Sequence, residues 1–275
     1  MTMIVVGLAF SWLDVSESFY LSVMVSMIMF AALFALYFFL RKYKKAEKPY
    51  PIKKPSVSDI YLTVILGLVC IASFWLLQNF VVEFFVFLGY TVPGGARTEI
   101  DSAHRYLISI VAIGIVPSVV EELLFRGLIL HALLPFGKWK AVLISSALFS
   151  LFHLSPAQTV YQFIFGIILA LVYLKTKNML VPILLHFVNN FTIITLAYIA
   201  GDDLAFTLGA TTIIAMITLA LVGTIVILNL VRATMYRRGE YPPRRRFETP
   251  ELLTLGLGVA VAVVIWIIAF IGTGG

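Results

Sequence analysis

The sequence predicts an all-α polytopic membrane protein, with about eight transmembrane helices enclosing a polar intramembrane cavity. Three observations carry that expectation. Of 275 residues, 61% are hydrophobic and only 12% charged, with a mean hydropathy of +1.02; a water-soluble domain keeps roughly 45–50% apolar and about a quarter charged. Stretches free of Asp, Glu, Lys and Arg at 19–40, 60–82, 178–201, 204–231 and 252–275 each exceed the roughly 20 residues that cross a bilayer as a helix. Lys and Arg, finally, collect on one side of the topology that these stretches define. An outer-membrane barrel would show alternating segments of about 10 residues instead.

Taken in order, the expected spans are 18–40, 59–82, 104–134, 138–153, 157–174, 179–200, 204–231 and 251–272, within a single membrane domain of residues 1–275. Residues 3–13 are apolar but short and precede Asp14 and Glu17; they read as an interfacial lead-in and not as a cleaved signal peptide, which would carry a basic region first. Residues 83–103 read as an interfacial or re-entrant piece on the outer side, ended by the turn signal Pro93-Gly94-Gly95. With eight spans, 18 of the 20 Lys and Arg face one side and only Arg97 and Arg105 the other. The positive-inside rule then puts both termini outside the cytoplasm. Basic residues that flank spans are topology signals, so the formal charge of +6 does not indicate a nucleic-acid partner. The loop at 237–247, with five arginines, could attract anionic membrane lipid but reads first as a plain topology anchor. The one cysteine, Cys70, falls inside a span, which argues against a Cys-based metal site or nucleophile.

Among all the charged residues, only Glu121, Glu122 and Arg126 lie well inside a span. An ionisable group at the bilayer centre costs at least about 2.5–3.5 kcal/mol, so it faces a polar cavity or a partner. Pro135-Phe136-Gly137 breaks the chain between the third and fourth spans, with Glu121 16 residues before Gly137 and His153 16 after it. Closing that hairpin brings both to about 24 Å from the turn at 1.5 Å per residue. On the sixth span His186 and Asn190 are spaced i, i+4 and share a face; Asn189, at i, i+3, shares it too. Glu122 and Arg126 are also i, i+4, in the favourable order, and read as a structural ion pair. Glu121, about a quarter-turn away, is left for other work. His131 reads as a solvated or interfacial side chain, and His104, near Asp101 and Arg105, as an ordinary surface residue.

The string Glu121-Glu122-Leu-Leu-Phe-Arg126-Gly127 resembles the EExxFRG motif of the CAAX protease and bacteriocin-processing (CPBP) family of intramembrane endopeptidases, of the type II CAAX prenyl protease kind. Phe149-Ser-Leu-Phe-His153 resembles its FxxxH motif, and His186-Phe-Val-Asn-Asn190 its HxxxN motif. The segment from Gly166 through Tyr173 to Thr176 is similar to the family's G…Y-L-x-T stretch. The resemblance covers residues 105–191, the expected catalytic core. It implies a metal-independent glutamate-type endopeptidase without a cofactor. Glu121 and His153 would orient and deprotonate water, His186 and Asn190 would stabilise the oxyanion, and Glu122 and Arg126 would support them. It also implies a peptide or lipidated protein substrate at the membrane, such as the prenylated C-terminus of a CAAX protein, and a multi-pass location, the plasma membrane in a prokaryote.

The residues themselves agree with water as nucleophile. No Ser, Cys or Lys sits in the constellation, and Ser155 lacks a GxSxG-like elbow. Three other readings use the same side chains. Glu121, His153 and His186 could hold zinc, although no HExxH helix is present. Buried Glu and His could relay protons in a transporter, although no inverted repeat is evident. The fold could also serve as a non-proteolytic scaffold or immunity protein. The topology has its own test: cysteines introduced near the N-terminus and in the 41–54 loop should label from opposite faces of the membrane, and labelling from one face would overturn the eight-span arrangement.

Overall fold

The computed structural model describes residues 19–43, 51–89, 100–153, 155–200 and 248–272, with isolated positions between 218 and 229. The described segments form helices and turns, without strand. In chain order they are α1 (Phe19–Tyr43), α2 (Val57–Phe87), α3 (Ala103–Phe136), α4 (Lys138–Phe152), α5 (Thr159–Thr176), α6 (Leu180–Ala200) and α7 (Thr249–Gly272). Three helical segments, Ala103–Phe136, Pro156–Thr176 and Leu180–Ile199, are long and apolar enough to cross a membrane. The apolar parts of α1, α2 and α7 are shorter, at Val23–Phe39, Val57–Ser73 and Leu255–Ile268. The expected seventh span, the lead-in at 3–13, the turn at 93–95 and the basic loop at 237–247 lie outside the described residues.

One expectation is corrected, and one element is shorter than expected. Residues 83–87 are not a separate interfacial piece but the last turns of α2, which runs for 31 residues. Nothing in Phe84–Phe87 breaks a helix, and the first breaker is Gly89, at φ +92°. The expected fourth span is only 15 residues of helix. That is about 22 Å of rise, after which the chain turns back into α5.

Local chemistry explains where the elements begin and end. Ser56 and Asp59 form a capping box at the start of α2: Ser56 Oγ accepts from the Asp59 N–H at 3.1 Å, and Asp59 Oδ2 accepts from the Ser56 N–H at 3.0 Å. Gly137, at φ +116°, makes the reversal between α3 and α4 in a backbone region open to glycine. Asn178 joins two ends of the chain: its Oδ1 accepts from the N–H groups of Lys53 and Leu180, and its Nδ2 donates to the Lys53 carbonyl, all at 3.0 Å.

Polarity is arranged inside out. Large apolar side chains such as Ile28, Phe38, Leu68, Leu107, Leu257 and Ile268 point outward, while Ser118, Glu121, Glu122, Arg126, His153 and His186 are buried. Such a surface suits hydrocarbon and not water. The apolar core, with Leu66, Phe125, Leu130, Phe149, Phe165 and Tyr173, is concentrated where α4 and α5 pack together against α3. That packing depends on Gly166 of α5. A β-carbon there would approach Ser146 Cβ to 3.1 Å and Phe149 Cδ1 to 3.2 Å. Gly166→Val should therefore cost about 1–3 kcal/mol through overpacking, read as a lower midpoint of thermal unfolding. Gly256→Val on α7, where a β-carbon meets nothing within 4 Å, should change that midpoint little.

Candidate active site

α3 is not a uniform helix. A short α-helical stretch, Val116–Glu122, lies between two wider π-helical segments, Ile110–Ile115 and Leu123–Leu130. The break has a covalent cause in Pro117, which has no N–H and whose ring presses on the carbonyl four residues earlier. That carbonyl belongs to Ile113, and Asn190 Nδ2 of α6 donates to it at 3.1 Å. Ser118 Oγ meanwhile donates to the Gly114 carbonyl at 2.6 Å. A proline is tolerated at bilayer depth when neighbouring side chains satisfy the backbone groups it frees, and Asn190 does so here. The distortion places Glu121 and Glu122 together at the end of the α-helical stretch, both almost wholly buried.

The two glutamates have different surroundings. Glu122 Oε1 accepts from Arg126 Nη1 at 2.7 Å and lies 3.0 Å from His186 Nδ1. An ionised carboxylate only accepts, so His186 donates through Nδ1 and presents Nε2 on its other side. Arg126 passes a further donor, Nη2, to the Gly166 carbonyl at 3.1 Å, and its guanidinium carbon lies 4.5 Å from the centre of the Phe149 ring. Glu121 has no such company. Its nearest charged neighbour on α6 is His186 Nε2, 3.9 Å from Oε2. Both of its carboxylate oxygens are buried without a hydrogen-bond partner.

His153 ends α4, and its Nδ1 lies 2.8 Å from the Phe149 carbonyl, to which it donates, so Nε2 is left for other partners. No hydrogen bond joins it to Glu121, whose oxygens make none. His153 reaches the cluster through Phe149, whose ring centre lies 4.8 Å from the His153 ring and 5.8 Å from that of His186. Asn190 is spent on Ile113. Asn189 Nδ2 donates to Asn190 Oδ1 at 3.3 Å and receives a hydrogen bond from the Tyr161 hydroxyl at its own Oδ1. The structure thus gathers Glu121, Glu122, Arg126, His186 and, around Phe149, His153, while Asn190 faces the break in α3.

Four features escaped sequence reasoning: the second role of Glu122 in orienting His186, Phe149 as the common wall, Gly166 as the acceptor for Arg126, and Tyr161 behind Asn189. Phe149 could have been found, since it stands four residues before His153 and shares its helix face. The others join residues far apart in the chain. His131 departs from the expected solvated position: it is buried, with Nε2 2.8 Å from the Tyr173 hydroxyl. His104 is exposed, and Arg105 pairs with Asp101 at 3.0 Å. Among the described residues, no group of three or more His, Cys, Asp and Glu side chains is arranged to hold a metal ion.

Fold and site together define an integral membrane protein whose helices bury a carboxylate–guanidinium–imidazole cluster. Residues 103–192 match the family model described as type II CAAX prenyl endopeptidase Rce1-like, a family of proteases. Against curated proteins and against solved structures, the chain has no match. Within the matched segment the ion pair itself can be tested without any substrate. Glu122→Gln leaves Arg126 buried without its counter-charge, so it should destabilise the fold by about 3–5 kcal/mol, measured as thermal unfolding in detergent.

Proposed function

We propose that the chain is an intramembrane endopeptidase that hydrolyses peptide bonds near the C-terminus of membrane-associated substrates, with Glu121 activating the attacking water. The observation that carries this reading is the contrast between adjacent glutamates: Glu122 is bonded on one oxygen to both Arg126 and His186, whereas neither oxygen of the buried Glu121 has a partner. An uncommitted carboxylate kept from bulk water is free to take a proton. In the proposed step the water oxygen adds to the carbonyl carbon while its proton passes to Glu121. The tetrahedral oxyanion then collapses, the C–N bond breaks, and the departing amine takes the proton that Glu121 held.

His153 Nε2 helps to orient the water, because Nδ1 is already fixed on its own helix. The oxyanion is met by Asn190, whose amide must first release the Ile113 carbonyl, and by His186 as an imidazolium, whose Nε2–H donates on the Glu121 side while Nδ1–H stays on Glu122. Active-site hydrogen bonds often tighten only when substrate is bound. Loss of one oxyanion donor typically costs about 10²–10³ in rate. Glu122 and Arg126 hold His186 in place. The family match, together with the Glu121, His153, His186 and Asn190 motifs, supports a peptide or lipidated protein as substrate, with a prenylated CAAX C-terminus as the first to try.

The test is incubation of purified protein with prenylated and unprenylated C-terminal peptides, with products read by mass. Glu121→Gln keeps shape and hydrogen-bonding capacity but cannot take the proton, so cleavage should fall by at least about 10²-fold while the fold stays intact. Prolonged exposure to a strong zinc chelator should leave the wild type active. Loss on chelation that zinc restores would replace water activation by Glu121 with a metal site on Glu121, His153 and His186. Full activity in Glu121→Gln would remove Glu121 from the chemistry altogether.

A further inference from the structure

The turn that follows His153 is irregular backbone between two apolar helices. α4 stops after 15 residues, about 22 Å of rise, and the chain reverses through a single 3-10 turn, Pro156–Gln158, before α5 begins. Ser155, Pro156 and Ala157 are buried, and buried carbonyls need donors from the protein. Ser150 Oγ donates to the Thr159 carbonyl at 2.6 Å, and Thr159 Oγ1 to the Ser155 carbonyl at 2.9 Å. Both of these donors belong to the hairpin itself.

Two more donors come from helices that the family match does not include. Gln78 Nε2, on α2, donates to the Ala157 carbonyl at 2.7 Å. Trp266 Nε1, on α7, donates to Thr159 Oγ1 at 2.7 Å. A chain of donors therefore runs from Trp266 through Thr159 to Ser155, two residues from His153. Trp266 also packs edge-on to Phe85 of α2, with ring centres 6.2 Å apart, so α2 and α7 meet over the turn. Packing by itself would not select glutamine at position 78. Its Oε1 is buried without a hydrogen-bond partner, a cost that leucine would avoid in similar volume. Its donor is what the turn uses.

We propose that Gln78 and Trp266 are positioning residues for His153: they fix the turn at the end of α4 and so set where the imidazole meets the Glu121 side of the site. The proposal rests on the reading of His153 as a partner in water activation. Neither residue touches the cluster. Each acts through backbone that leads into His153, whose Nδ1 is already held by the Phe149 carbonyl.

The experiment uses the full chain in proteoliposomes and the peptide that the wild type cleaves. Gln78→Leu and Trp266→Phe, the second keeping an aromatic ring but losing the N–H, are measured alone and combined with His153→Ala. Each single variant should lower kcat about tenfold, since small misplacements of a catalytic group carry penalties of this order. KM should stay within about twofold, because substrate binding does not pass through His153. In the His153→Ala background the same changes should cost nothing further, because the group they position is gone. Thr159→Val, which removes both the acceptor of the indole and the donor to the Ser155 carbonyl, should cost at least as much as Trp266→Phe, which should add nothing to it, and this pair decides the matter if Gln78→Leu fails to fold. Unchanged kcat in the single variants, or an equal loss with and without His153, would overturn the proposal and leave His153 as read. Full activity in His153→Ala itself would remove His153 from the reaction, and the positioning role with it.

Discussion

Glu122 accepts from Arg126 and from His186 on the same oxygen, and Arg126 carries the connection on to the Gly166 carbonyl. One carboxylate thereby ties α3 to α5 and α6. An ionised group buried alone at this depth would be expelled or neutralised; buried as a hydrogen-bonded set, each member satisfies another. The rest of the arrangement follows from keeping that set together. Gly166 has no side chain where the guanidinium meets the α5 backbone, Phe149 lays its ring under the cation, and the two histidines flank Phe149. Because Arg126 and His186 consume one oxygen of Glu122, the neighbouring Glu121 is buried with no such commitment.

The backbone of α3 contributes as much as its side chains. A regular α-helix with a proline in mid-span would leave a carbonyl exposed to hydrocarbon. Here the helix widens on both sides of Val116–Glu122, and Asn190 supplies the missing donor. π-helical turns are rare and occur frequently at functional sites. In this chain they bracket the two glutamates and turn them toward α6. Asn190 accordingly has a structural partner in the resting protein, and the Tyr161–Asn189–Asn190 hydrogen bonds hold its amide in that orientation.

The helices outside the matched segment are more than a lipid-facing shell. α2 packs against α6 as well as α5, and α7 lies against α4, so both border the short hairpin that ends at His153. That hairpin is held at its turn by neighbours, through Gln78 and Trp266. The division between a motif-bearing core and plain flanking helices, natural in the sequence, does not hold in three dimensions.

Hydropathy and the spacing of charges were enough to establish helices, a membrane setting and the pairing of Glu122 with Arg126, because those depend on neighbours along one helix. The same periodicity placed His186 and Asn190 on one face. It could not show that Asn190 would turn to Ile113, because that contact depends on a carbonyl released by Pro117 on another helix. Nor could hydropathy show what holds the reversal after α4, which is stabilised by Gln78 and Trp266, one far upstream and the other far downstream. Local order in this protein is written in residues three or four apart. His186 is brought to Glu122, and Asn190 to Ile113, by hydrogen bonds between helices, and such partners exist only once the chain has folded.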